Sequence, residues 1–329
     1  MLLPLGRLLP AAVVGALALS ATGALAQDWP TRPVTVVVTF APGAADDVLA
    51  RILAPRLSEL LGQQVIVENV GGAAGAIAVN RVAKAAPDGY QLVLGGVGTF
   101  AVIPALYKKP PYDAINDFEP VMLMVDQPIV LVARKDLPAN NLPEFVAYVR
   151  AHQATMQFGS AGPGSISQLS CEQIHSAIGV NVTHVPFRAA ALAMQELIAG
   201  RLDYLCPLAA TALPHIVNNV AKPIAMLSKN RSPIFPALAT AEEQGVAGLE
   251  AYAWQSFFFP KGTPRPIVQK LRAATATAID TAVVQNRLKE IGATVVGPDR
   301  RSQKYLQEFL AGEITKWQAI VKAANVKVE

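Results

Sequence analysis

Apolar positions along the chain follow two alternating rhythms. PVTVVVTF, from Pro33 to Phe40, is a continuous, β-branched run of the kind a strand buried on both faces requires. The turn APGAADD follows it. VLARILAPRLSELLG then repeats apolar residues at helical spacing and stops at Gly62. QVIVEN reads as the next strand. A Gly/Ala loop from Gly71 to Gly75 opens a helix ending near Ala86, and YQLVLGG is a strand broken by Gly95, Gly96 and Gly98. The rhythm continues through EPVMLMV, PIVLVAR, a helix from Leu142 to His152, the short strand MQFGS and a helix starting near Ser165. VNVTHVPF is a strand, Ala189 to Ala199 a helix, and RLDYLCP and KPIAMLS two further strands. AYAWQSFFFPKG is a long aromatic strand, after which helices dominate from Pro266 to Ala324.

Strands alternating with helices predict an α/β protein with parallel sheets. At 329 residues, 52% hydrophobic and 16% charged, the chain has apolar material for about two domains. Two extended segments, Asp126-Gln127-Pro128 and Ala253-Trp254-Gln255, are the places where the chain would cross between them. The crossings predict a discontinuous first lobe, residues 27–126 with 254–329, and a second lobe of residues 127–253.

The first 26 residues stand outside this pattern. Arg7 is the sole charge before an apolar run from Leu8 to Leu19, and the stretch closes on Ala24-Leu25-Ala26 before Gln27. That is the layout of a secretory signal peptide. The run is short of the ~20 residues a membrane span needs, and no Cys near the cleavage point offers a lipid anchor. The expectation is a periplasmic protein whose action across a membrane needs a partner. Without Arg7 the balance of 28 basic against 24 acidic side chains falls to a net charge of about +3, too mild and scattered for nucleic acid. An oxidising compartment permits a disulfide between Cys171 and Cys206. Each lies in an apolar stretch, so two separately buried thiols is the favoured expectation.

A search for chemistry returns little. The sequence has no G-x-x-x-x-G-K-[ST], no complete G-x-G-x-x-G and no G-x-S-x-G elbow. His152, His175, His184 and His215 show no metal-ligand spacing. The expectation is a protein with no catalytic residue, metal or cofactor. What it does have is three small-residue turns after strands: FAPGAADD (Phe40 to Asp47), GGVGTF (Gly95 to Phe100) and GSAGPGSISQ (Gly159 to Gln168). Ligands of open α/β sheets bind outside the carboxyl ends of strands, where helix N-termini present free N–H groups suited to an anion. One such turn is ordinary in a doubly wound fold; three of them favour a cleft ligand.

Several long stretches carry a resemblance. WPTRPVTVVVTFAPGAADDVLARILAPRLSELLGQQVIVEN, AKAAPDGYQLVLGGVGT, YKKPPYDAINDFEPV, FGSAGPGSISQL, HVPFRAAALAMQELIAGRLDY, ALPHI, NRSPIFPALATAEEQGV and PKGTPRPIVQKL together resemble the Bug family, the extracytoplasmic solute-binding proteins of tripartite tricarboxylate transporters. The resemblance implies a type II-like periplasmic binding protein fold, with two lobes, a hinge and a central cleft. It also implies a small carboxylate held by main-chain amides and ordered waters, and permease subunits as membrane partners of a monomeric receptor. Carried onto this chain, the anchors are Phe40, Pro42, Gly43, Ala44, Asp47, Gly98 and Thr99 in the first lobe, and Ser160, Ala161, Gly162 and Ser165 in the second.

The sequence departs from the family pattern at four places. P-G-G becomes Pro42-Gly43-Ala44, the Thr or Ser before the family Asp becomes Asp46, Ser-His becomes Ser167-Gln168, and Tyr-Lys-Gly-Ser becomes Phe187-Arg188-Ala189-Ala190. Gln168 and Arg188 therefore join the candidate ligand contacts, and the departures bear on ligand identity rather than fold. Asp47 can serve as a helix cap, a cleft residue or both. Arg188 offers a fork for a second acidic group, which would make the ligand a dicarboxylate or an aromatic acid, or else pairs with Glu196 at the surface. Trp254, Phe257 to Phe259 and Trp317 are expected in the core, and Tyr107, Lys108 and Lys109 in a solvated turn. A sensor that docks on a membrane kinase, and a secreted hydrolase, are the alternative functions.

Overall fold

The structure is a computed structural model that describes residues 29–323; the leader assigned to residues 1–26 lies outside the described residues. The chain opens with β1 (Val34–Val38), α1 (Ala45–Leu61), β2 (Val65–Asn69), α2 (Ala76–Ala83) and β3 (Gln91–Gly96). A π-helical turn, Gly98–Val102, runs into α3 (Ile103–Leu106), and β4 (Phe118–Pro128) follows. The middle of the chain supplies β5 (Val130–Arg134), α4 (Leu142–His152), β6 (Gln157–Ser160), α5 (Ile166–Ile178) and β7 (Thr183–Pro186). It continues with α6 (Ala190–Ile198), β8 (Tyr204–Leu205), α7 (Ala209–Val217) and β9 (Ala221–Met226). The last stretch holds β10 (Tyr252–Pro260), α8 (Arg265–Ile279), α9 (Ala282–Glu290), β11 (Thr294–Val295) and α10 (Gln303–Ala323).

Two sheets result. One is ordered β11-β4-β10-β3-β1-β2 and the other β7-β6-β8-β5-β9. Both are mixed, which corrects the expectation of parallel sheets. β1 runs parallel to β2 and β3, but β10 lies antiparallel to β3 and β4. The reason is the path of the chain. It leaves the first sheet through β4, builds the second sheet, and returns along β10 in the opposite direction. In the second sheet β6 is parallel to β7 and β8, while β5 is antiparallel to β8 and β9.

The aromatic strand β10 shows why the first sheet needs helices on both sides. Phe257 and Phe259 join Val36, Val38, Leu92 and Leu94 under α1, α8 and α9. Phe258 and Trp254 face the other way, among Val37, Val93, Phe100 and Trp317. Successive residues of a strand point to opposite faces, so an unbroken aromatic run is buried twice over. The indoles of Trp254 and Trp317 both donate to Glu313 Oε2 of α10, at 2.8 and 3.3 Å, which satisfies a buried carboxylate. Tyr107, Lys108 and Lys109 lie half-buried to exposed, as a solvated turn should.

Further sequence expectations change. Cys171 and Cys206 form a disulfide across a Cα–Cα distance of 5.6 Å, and are not separate thiols. α5 packs on β6, and Cys206 follows β8 next door in the same sheet, a juxtaposition that local composition does not report. α7 was not expected, because its nine residues are mostly apolar and carry Pro214 inside them. RLDYLCP pairs only at Tyr204 and Leu205, and β11 interrupts the helical C-terminal region.

Candidate functional site

The candidate loops gather at the carboxyl ends of β1, β3, β6 and β7. The close approaches show it. A Cβ built on Gly75 would stand 2.7 Å from Thr99 Cγ2 and 2.9 Å from Thr39 Cβ, so the ends of β1 and β3 touch. A Cβ on Gly164 would stand 2.4 Å from Leu106 Cδ1, which sets the β6–α5 loop against α3 of the other sheet's layer. Phe187 N–H donates to Ser160 O at 3.0 Å and binds the β7 end to the β6 end.

Phe40 to Ala44 form the first loop. Phe40, Pro42 and Gly43 are exposed and Ala44 is half-buried. Gly43 has φ +83°, a conformation that L side chains rarely adopt. Its N–H donates to Asp47 Oδ2 at 2.8 Å. Asp47 Oδ1 accepts from Arg51 Nε at 2.8 Å and Asn69 Nδ2 at 3.0 Å. Burial alone would raise this carboxyl's pKa. The Gly43 N–H, Asn69 and Arg51 outweigh burial and hold it below the usual carboxylate range. Asp47 is thus the cap of its own loop. The helix itself begins on Ala44, which has no side chain to cap it.

Asp46, one residue earlier, faces inward. Thr39 Oγ1 donates to its Oδ2 at 3.1 Å, and Gln255 of β10 lies beside it. Burial pushes its pKa up to about 6 against the lowering effect of both neighbours. Beside it, Thr99 is buried; its hydroxyl accepts from Gly96 N–H at 3.2 Å, and its carbonyl accepts from Tyr112. Gly98 and Thr99 open the π-helical turn that leads into α3, where backbone N–H groups lack intrahelical partners.

The second-lobe loop is organised by neutral side chains. Ala161 N–H donates to Ser167 Oγ at 2.9 Å, Gly162 N–H to Ser160 Oγ at 3.0 Å and Gly164 N–H to Gln168 Oε1 at 2.7 Å. Ser165 caps α5 by accepting from Gln168 N–H at 3.3 Å. Ser160 Oγ lies 2.6 Å from His184 Nε2. Burial, the largest influence on His184, lowers its pKa and favours the neutral ring. The Ala161 and Gly162 amides named as anion anchors are therefore engaged by the loop's own hydroxyls. Arg188 is exposed at the end of β7. Glu196, its suggested surface partner, is instead paired with Arg201.

Sequence reasoning missed Thr39, Gln255 and His184 as members of this constellation. Thr39 and His184 were signalled by position, at or near the carboxyl ends of predicted strands; Gln255 reaches the site only through β10's return. Among the described residues no group of three or more His, Cys, Asp or Glu is placed to hold a metal.

Comparison with known proteins bears on what binds here. The profile of the tripartite tricarboxylate transporter family receptor, TctC, matches residues 49–326. MatC from Rhodopseudomonas palustris, solved with bound malate, is 39% identical with a TM-score of 0.81, covering 89% of this chain and 99% of that one. The periplasmic binding protein BugD is 36% identical with a TM-score of 0.82, covering 92% and 100%. A further R. palustris protein, solved with adipate, is 33% identical with a TM-score of 0.83, covering 91% and 99%. The architecture is that of a two-lobe periplasmic binding protein.

Proposed function

The chain belongs to the tripartite tricarboxylate transporter receptor family, the Bug-type periplasmic solute-binding proteins, and from that premise we propose that it captures a small dicarboxylate and delivers it to membrane permease subunits. The single observation that supports this reading is a pair of capped strand-to-helix turns, Phe40–Asp47 and Ser160–Gln168, at the carboxyl ends of β1 and β6, the second set against Leu106 of α3 at Gly164. Relatives solved with malate and adipate support an acid of this class. Residues 27–126 with 254–329, and 127–253, act as the two lobes of a monomer and close on the ligand about the segments near Gln127 and Trp254.

In this reading the first carboxylate lies against Phe40, Pro42, Gly43, Ala44, Gly98 and Thr99 on one side and Ser160, Ala161, Gly162, Ser165 and Gln168 on the other. Arg188 supplies the planar fork for the second acid group. A thermal-shift screen of mono- and dicarboxylates, followed by calorimetry, tests it. The dicarboxylate should bind, its methyl esters should bind much more weakly, and Arg188→Ala should weaken the dicarboxylate roughly 30-fold or more. A matched monocarboxylate should lose far less. Equal affinity for acid and ester would show that these loops do not read a carboxylate.

A further inference from the structure

The buried carboxylate of Asp46 has no task in ligand capture as described above. It sits at the second position of α1, 7% exposed, two residues after Ala44 of the first-lobe turn. Two observations set it apart. The first is that its company is neutral. Just after β1 it meets Thr39 and from β10 it meets Gln255. The charged neighbours on its own helix, Asp47 and Arg51, are paired with each other at 2.8 Å. Where the family resemblance places Thr or Ser, this chain has put a carboxyl group with no cation to compensate it.

The second observation is the amide of Gln255. This residue is 3% exposed and lies beside Asp46, and its Oε1 is buried without a hydrogen-bond partner among the described residues. A side-chain amide carries a donor at one end and an acceptor at the other. An ionised Asp46 takes the N–H end. A protonated Asp46 can give its O–H to the oxygen end after the amide turns over. Asp46 has a partner in either protonation state.

We propose that Asp46 is a proton site coupled to ligand capture: a carboxylate arriving at the first-lobe turn draws one proton from solvent onto Asp46, and loss of that proton loosens the ligand. The inference rests on the carboxylate-binding reading. Its physical basis is mutual repulsion. Two anions in one poorly solvated region raise each other's proton affinity, and the coupling is reciprocal, so the proton favours the ligand as much as the ligand favours the proton. Burial already holds the carboxyl near the range where a proton exchanges at neutral pH.

L-Malate and adipate serve as probes, with calorimetry in Tris and PIPES at pH 7 to count protons. If the bound charge raises Asp46 by about one pH unit, the wild-type protein takes up about 0.4 proton per ligand at pH 7. Its affinity then rises about fivefold from pH 8 to pH 6. Asp46→Asn should show neither effect. Asp46→Thr, which keeps a hydroxyl at the position, should also show neither, and guards against a folding defect specific to Asn. Binding by the wild type without proton uptake overturns the inference and leaves the carboxylate reading standing. The same uptake in both variants overturns it too. Failure of the wild type to bind either acid at millimolar concentration sinks the carboxylate reading, and this inference with it.

Discussion

The two strand-to-helix turns solve one geometric problem with opposite chemistry. In each, the third residue of the helix reaches back four positions to a glycine N–H: Asp47 to Gly43 at 2.8 Å and Gln168 to Gly164 at 2.7 Å. In each, the second helical residue ties down the end of the preceding strand or its turn: Asp46 with Thr39, Ser167 with the Ala161 N–H. The first lobe uses two carboxylates and the second a hydroxyl and an amide. The second is further held by the disulfide from α5 to the residue after β8, whereas the first has no such staple among the described residues. A helix N-terminus tolerates either set, since both accept from orphan N–H groups. The difference should lie in what each turn responds to: the first to pH, the second to reduction.

Removing the staple should have the largest effect. The disulfide closes a loop of sequence separation 35, for which chain entropy gives about 3–4 kcal/mol of stabilisation. The double variant Cys171→Ala, Cys206→Ala should lose that much in denaturant unfolding. Hydrogen exchange should rise in α5 and leave α1 unchanged. Faster exchange in both helices alike would mean that the two lobes unfold as a unit, and the contrast between the turns would lose its energetic meaning.

Asp46→Asn comes next, and it should stabilise. Asp46 has a folded-state pKa of about 6 against an ordinary 3.8. A pKa raised on folding means that the native state binds the proton more readily, so wild-type stability falls as pH rises from 3.8 through 6. The Asn side chain carries no such cost. The variant should therefore gain about 2–3 kcal/mol near pH 7, a gain that vanishes below pH 4. A gain independent of pH would assign the effect to packing, and a loss at pH 7 would show that the carboxylate is worth more to the turn than its burial costs.

How much of this was legible in the sequence depends on range. The Val-rich run of β1 and the helical spacing of α1 carry their own signals, and the turn between them was readable because small residues and Asp cluster there. The same holds for Ser160 to Gln168. What could not be read was anything decided by a distant partner. Gln255 reaches Asp46 because β10 returns beside β3, and that antiparallel return is a property of the whole path. Cys206 meets Cys171 because β8 lies beside β6 in the second sheet, another pairing set by the whole path. Asp46 looked like a local substitution for Thr; only β10 makes it a buried carboxylate. The Ala161 and Gly162 amides looked available because no local pattern says that Ser167 and Ser160 would turn back on their own loop.

A smaller effect separates the two caps directly. Asp47→Ala frees the Gly43 N–H, Arg51 and Asn69, and should cost about 1–2 kcal/mol at pH 7. Its pKa is depressed on folding, so the stability it contributes is present above the ordinary carboxylate range and fades as pH falls through the depressed value. The cost of the substitution should shrink in acid. Gln168→Ala frees only the Gly164 N–H and should cost about 0.5–1 kcal/mol at every pH. Parallel pH profiles for the two variants would remove the distinction between an ionic and a neutral turn.

The smallest effect expected is that of Arg188→Ala on stability. Arg188 is exposed, and Glu196, the acid that would tether it, is engaged by Arg201. Exposed side chains away from caps, cores and networks change stability by about 0.5 kcal/mol or less when truncated. Thermal unfolding of the variant should therefore superimpose on the wild type and show no added dependence on salt. This near-zero outcome gives the binding experiment its meaning. If Arg188→Ala leaves the fold untouched and still weakens a dicarboxylate selectively, the guanidinium acts on the ligand. A stability cost above about 1 kcal/mol would show instead that Arg188 supports the β7–α6 turn. Any loss of affinity would then belong to the turn, and the second-lobe site would be neutral throughout, with no charge of its own to offer a second acid group.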